Sequence, residues 1–221
     1  GSTGSPIYGA LAADLLPDAR ITVLADSSGG YPDTPESNAV FDRWGTKAAL
    51  ATWSNTTGFT DGTLSQPGLI ERASQHAPGV VFIRHDYAHD KVQSLFVKAV
   101  GSDPSRLLEF IEANNQRLRD AGVPVHTWLV GSDTHTVLHA PAFFTETVDG
   151  VTLADWVAAT WPPADGEPMG GPGGWFARIS RALGSVAPER FQEVSGIGPT
   201  VAASVANWFG APETAGVLDD L

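Results

Sequence analysis

Residues 79–130 read GVVFIRHDYAHDKVQSLFVKAVGSDPSRLLEFIEANNQRLRDAGVPVHTWLV, and this stretch decides the fold. Two apolar, β-branched runs, 79–84 (GVVFIR) and 123–130 (VPVHTWLV), bracket a segment of helical periodicity. Runs of that kind mark strands buried on both faces, as in a parallel sheet. A loop over 85–89 leads to a helix that begins near Asp90. A second helix takes Asp103 as its N-cap and Pro104 at its first position, both favoured there. Its apolar face is Leu107, Leu108, Ile111 and Leu118, and Gly122 ends it. A strand–helix–strand connection of this length is a crossover between parallel neighbours.

Working outward, residues 20–26 (RITVLAD) form a third buried-type run, ending in the turn-rich 27–32 (SSGGYP). Residues 7–16 carry a short helical pattern stopped by Pro17. The polar stretch 33–67, with Trp44 and Trp53 embedded, reads as short helices crossing the sheet edge. Beyond the third strand come a loop over 131–139 and a helix over 153–161. The expected class is α/β, a parallel sheet flanked by helices. Three strands make a thin sheet, so the chain reads as half a fold or as one that pairs with something absent. Residues 162–174 (PPADGEPMGGPGG) read as a linker, and 175–221 as a small all-α tail. The expected organisation is therefore 1–161, linker, 175–221.

Composition narrows the function classes. With no cysteine, disulfides, thiolate metal sites and a Cys nucleophile are excluded. A formal charge of −12 repels phosphate backbones and anionic membranes. No apolar run is long enough to span a bilayer. The single Met is Met169, which reads as a trimmed or excised chain opening on Gly1.

In open α/β sheets, chemistry collects at the carboxyl ends of strands. Asp90 follows the second run, His135 follows the third, and Ser2 precedes the first helix. A serine hydroxyl is a weak nucleophile until a neutral imidazole takes its proton, and a carboxylate then orients the imidazole. Ser, Asp, His is the chain order of the α/β-hydrolase triad. Each residue also has a plainer reading. Ser2 fits a terminal Gly-Ser scar, Asp90 with Gln93 a capping box, and His135 an ordinary loop histidine. A competing metal reading takes His85, Asp86 and His89 as a His-Glu-x-x-His variant, with Asp133 and His135 completing the shell. It requires a helix across 85–89. His126 reads as a core or strand-face residue, and His76 and His139 as surface residues.

Several segments together resemble the pectin acetylesterase/Notum family of carboxylesterases, over residues 2–161. Ser2-Thr3-Gly4-Ser5 is similar to that family's nucleophile elbow, with Thr3 in place of alanine. Residues 24–29 (LADSSG) resemble its strand ending in Asp-Ser-Gly, and 90–93 (DKVQ) its triad-acid segment. Residues 131–138 (GSDTHTVL) and 148–156 (VDGVTLADW) resemble the segment around its triad histidine. The resemblance implies a partial α/β-hydrolase-like sheet lacking the fold's N-terminal half, with Ser2 as nucleophile, Asp90 as orienting acid and His135 as general base. It implies a small ester or acetylated substrate and no cofactor or metal. The family's cysteines are missing here, and so is its upstream Gly-rich, Trp-bearing oxyanion loop. Each lost donor of that kind costs on the order of 10²–10³ in rate, so the chain as given is expected to be weakened or inactive. Sheet edges left open would pair with the missing half or with another copy.

Residues 191–209 (FQEVSGIGPTVAASVANWF) resemble a helix-hairpin-helix of NAD-dependent DNA ligases. The resemblance implies a phosphate contact at Gly196, Ile197 and Gly198, where amides open the second helix. Against DNA stands the charge: over 186–221 five acidic residues face one basic residue, Arg190. Val201, Val205 and Phe209 read as the apolar stripe of the second helix. The charge favours a structural or protein-docking hairpin. Two hypotheses result: a serine carboxylic-ester hydrolase, and a nucleic-acid-associated module with a hydrolase-like scaffold.

Overall fold

The computed structural model describes residues 3–50, 64–160, 187–192 and 198–211. The chain divides into two units, Gly1–Val148 and Asp149–Leu221.

Three parallel strands, β1 (Thr22–Asp26), β2 (Val81–Tyr87) and β3 (Val125–Val130), form the sheet of the first unit in the order β1-β2-β3. Val23, Phe82 and Val125 lie side by side across it, as do Asp26, His85 and Trp128. Residues paired in this way share a face, and neighbours along a strand take opposite faces. One face therefore carries Val23, Ala25, Phe82, Arg84 and Asp86. The other carries Leu24, Asp26, Ile83, His85 and Tyr87.

Helix α1 (Ser5–Leu15) precedes β1, and α2 (Pro35–Arg43), α3 (Thr46–Ala49) and α4 (Gln66–His76) follow it. Between β2 and β3 come α5 (Lys91–Ala99), a 3-10 turn (Pro104–Arg106) and α6 (Leu107–Asp120). After β3 the first unit closes with α7 (Ala142–Thr145) and β4 (Thr147–Val148). Val23, Phe82, Ala10, Leu69, Ile70, Ala73 and Leu118 belong to one buried cluster that joins sheet and helices. Full burial of such side chains stabilises by about 1.5–3 kcal/mol each. A second cluster, Val97, Leu107 and Ile111, seats α5 against α6.

Sequence periodicity places the strands and most helices, with three differences. Strand β2 runs on through Tyr87 rather than yielding to a loop at His85, because its polar residues find buried partners. Asp103 caps the 3-10 turn, its side chain accepting from the Ser105 amide at 2.9 Å, and the α-helix starts only at Leu107. Helix α4 was not legible as a separate element. It is capped by Ser65, whose Oγ accepts from the Gly68 amide at 3.2 Å.

Gly9 fixes how closely α1 approaches the sheet. A Cβ there would stand 2.0 Å from Val23 Cγ2. Alanine in a helix is ordinarily better than glycine by about 0.5–1 kcal/mol. Here the stiff β-branched neighbour reverses the sign. Gly9→Ala is expected to destabilise by about 1–3 kcal/mol in urea unfolding. Adding Val23→Ala should recover part of that loss. A stabilised single variant contradicts the packing.

The second unit contains β5 (Val151–Thr152), α8 (Leu153–Thr160), α9 (Pro188–Phe191) and α10 (Pro199–Gly210). The sequence groups α8 with residues 1–161, whereas here it falls in the second unit. The linker 162–174 lies outside the described residues. In α10, Ala202 is buried while Val201 is half exposed, so the apolar stripe does not run through Val201 as its spacing suggested. Among the described residues, no helix is long and apolar enough to cross a membrane.

Candidate functional site

The loops leaving β2 and β3 run side by side. The Ala88 amide donates to Val130 O at 2.8 Å, and the His89 amide to Ser132 O at 3.0 Å. This zippering brings Asp90 and His135 together at the carboxyl ends of adjacent strands. Asp90 is fully buried and divides its two oxygens. Oδ1 caps α5, accepting from the Val92 amide at 2.8 Å and the Gln93 amide at 3.0 Å. Oδ2 accepts from His135 Nδ1 at 2.7 Å and from Gln93 Nε2 at 3.1 Å. The helix cap and the partner of His135, alternatives in sequence, are one carboxylate using both of its oxygens. An ionised carboxylate only accepts, so Nδ1 of His135 carries the proton and Nε2 is left as the basic nitrogen. His135 keeps a third of its side chain in solvent.

The histidine loop is gripped by main-chain bonds that sequence reading did not assign. Ser27 Oγ accepts from the Thr136 amide at 3.0 Å. Asp26 Oδ2 accepts from the Val137 and Leu138 amides at 2.8 and 3.0 Å. Ser27 and Thr136 both have φ of 59°, a left-handed backbone costly for a side-chain-bearing residue. Asp26 Oδ1 in turn meets His85 Nδ1 at 2.9 Å, fully buried. Burial alone would raise the Asp26 carboxyl, yet the His85 bond and the two amides hold it below its ordinary value. Beyond His85, the Tyr87 hydroxyl donates to Glu146 Oε2 at 3.0 Å. Burial and Glu146 push that hydroxyl up. The signal was present in LADSSG, quoted above only as a resemblance.

On the opposite face of β2, Arg84 and Asp86 are both buried. Burial lowers the Arg84 guanidinium against the pull of Asp86, and it raises the Asp86 carboxyl against the pull of Arg84. Asp86 Oδ1 accepts from the Gly29 amide at 2.7 Å and from Gln93 Nε2 at 3.2 Å.

A pocket of about 200 Å³ opens beside His135, with Thr3, Ser27, Tyr31, Gln93 and Phe96 in its wall. Ser2 lies outside the described residues, but its neighbour Thr3 is part of this wall. Thr3 Oγ1 lies 2.8 Å from Tyr31 Oη, and Tyr31 packs on Phe96 with ring centres 4.4 Å apart. A cavity of about 480 Å³ around Asp33, Asn38 and Asp42 and another of about 690 Å³ around Asp26, Thr136 and His139 include neither Asp90 nor His135.

The metal reading fails on geometry. His85 and Asp86 sit on opposite faces of a strand, not on one helical face, and His89 is exposed beyond its end. Among the described residues, no three His, Asp or Glu side chains are placed to share an ion. His126 is an exposed strand-face residue and not part of the core, and His76 pairs with Asp14 at 2.8 Å. His139 Nδ1 lies 3.1 Å from Thr136 Oγ1. Of the hairpin residues, Gly196 and Ile197 lie outside the described residues. Gly198 is exposed and opens α10, its carbonyl accepting from the Ala202 amide at 3.0 Å.

No family model, curated protein or solved structure matches this chain. What the site can do therefore rests on its own geometry. An imidazole oriented by a buried carboxylate, on the wall of a small pocket, can take a proton from a hydroxyl or from water.

Proposed function

We propose that the chain is a serine carboxylic-ester hydrolase acting on small ester or acetyl groups. The observation that carries this reading is the 2.7 Å bond between Asp90 and His135, with Thr3 in the wall of the same pocket. In the first step Ser2 Oγ attacks the ester carbonyl while His135 Nε2 takes its proton. The Thr3 amide, following the nucleophile at a turn into a helix, supplies an oxyanion donor. The tetrahedral intermediate collapses, and His135 returns the proton to the departing alcohol. Water, deprotonated by His135, then releases the acid and restores Ser2. Asp90 stays ionised and stabilises the imidazolium in both halves. No cofactor enters.

Hydrolysis of p-nitrophenyl acetate and labelling by a fluorophosphonate test the assignment. The expected result is phosphonylation at Ser2 by peptide mass spectrometry. Ser2→Ala is expected to lose hydrolysis by on the order of 10³-fold or more. Labelling at Ser2 with slow turnover is the result expected of a chain short of oxyanion donors, and a wild-type chain that neither turns over nor labels ends the reading of this chain as a working hydrolase. Undiminished turnover by Ser2→Ala removes Ser2 as nucleophile.

A further inference from the structure

We propose that Gln93 is a positioning residue, clamping Asp90 Oδ2 against His135 and tying that pair to the pocket wall at Gly30. Its catalytic meaning rests on the hydrolase reading; its geometry does not. Gln93 is buried and commits both amide protons and its carbonyl oxygen to three partners. Nε2 donates to Asp90 Oδ2 at 3.1 Å and to Asp86 Oδ1 at 3.2 Å, while Oε1 accepts from the Gly30 amide at 2.8 Å. Two acceptor-only carboxylates and one donor-only amide fix the orientation of the side chain. A flipped amide would face both carboxylates with its oxygen.

The clamp is reciprocal, because Asp90 Oδ1 holds the Gln93 backbone amide at 3.0 Å. Neither residue can rotate without breaking the other's bond. The remaining direction at Oδ2 is the one taken by His135 Nδ1. A residue three positions after a cap would serve the helix alone if it merely reached back to the cap's own amide. Gln93 instead reaches the carboxylate oxygen that holds His135, and the Asp90 amide bonds to Tyr87 O. The charged groups around this cluster are Arg84 and Asp86 on β2, the Lys91–Asp133 ion pair at the start of α5, and exposed His89.

The test is an NMR titration of the ¹⁵N-labelled full chain, following the ring nitrogens of His135 and the side-chain NH₂ of Gln93. In the wild type the Gln93 resonances are expected to shift with the His135 midpoint and not with that of His89. Gln93→Met removes one donor from Oδ2 and leaves more of its charge to the imidazolium. It is expected to raise the His135 midpoint by about half a pH unit, roughly a threefold gain in proton affinity. Misplacement of the histidine on this scale is expected to lower kcat by about 10²-fold with KM little changed. Gln93 resonances that stay still through the His135 transition in the wild type overturn the proposal, and that arm requires no variant to fold. So does a folded Gln93→Met with the wild-type midpoint. Coupled titration without esterase activity removes the hydrolase reading alone. Activity with uncoupled titration removes the role of Gln93 alone.

Discussion

Asp90→Asn is expected to leave the chain folded and to lower p-nitrophenyl acetate hydrolysis by about 10⁴-fold, the scale set by the same change in other hydroxyl–imidazole–carboxylate sites. The two oxygens of Asp90 make the separation feasible. Asparagine caps helices about as well as aspartate, so its Oδ1 can keep the Val92 and Gln93 amides. Its Nδ2, in the place of Oδ2, becomes a donor. It then meets His135 Nδ1 as an acceptor, which forces the proton onto Nε2 and removes the base. The same Nδ2 also faces Gln93 Nε2, donor against donor. A stability cost of about 1–2 kcal/mol is expected from those bonds, small beside the kinetic loss. Asp90→Ala should lose cap and base together, and unfold earlier in urea. Near-normal hydrolysis by a folded Asp90→Asn would mean that the Asp90–His135 bond is only structural.

Gly29→Ala is expected to be the most damaging small substitution for the fold. A Cβ at position 29 would lie 2.2 Å from Asp86 Oδ2, 2.7 Å from Asp86 Cγ and 2.9 Å from Arg84 Nη2. None of these atoms is the free end of a flexible surface chain. Asp86 and Arg84 are both buried, and Asp86 is held by the Gly29 amide itself and by Gln93. Relief requires moving Asp86 off the Gly29 amide and Gln93, and overpacking plus the loss of hydrogen bonds to a buried carboxyl costs about 3–5 kcal/mol. For a chain of this size, 1 kcal/mol moves the midpoint by about 2–4 °C, so a fall of roughly 6–20 °C in Tm is expected by calorimetry. A variant melting within a degree or two of wild type contradicts the packing around Gly29.

The parallel sheet was legible because β1, β2 and β3 are apolar enough to announce burial. The polar carboxyl half of β2 was not. His85, Asp86 and Tyr87 look like a loop in sequence, since nothing local reveals that Asp26, Gln93 and Glu146 await them from distant segments. Asp90 and His135 were legible through their position after strands, a property of topology and not of neighbours. Asp26, Ser27 and Gln93 were missed as site residues for the converse reason. They act on His135 through main-chain amides and through another carboxylate, and the segments that carry them, 24–29 and 90–93, show this only as a resemblance and as a capping-box spacing. Helix α4 was hidden by a polar sequence whose buried side includes Gln66 and Gly68.

Strand β2 carries Arg84 and Asp86 toward one layer and His85 toward the other, each matched to a partner on its own side. Sliding this strand by a single residue against its neighbours would turn the guanidinium and its carboxylate toward Asp26, and the imidazole into the helical layer. Apolar strands tolerate such slips poorly because they expose oil to water. Here the same error would also part Arg84 from Gln66, Asp86 from the Gly29 amide and Gln93, and His85 from Asp26, so mispaired sheets are discriminated against by unmet buried hydrogen bonds as well as by hydrophobicity. The alignment that places His135 beside Asp90 is thus proofread from within the central strand.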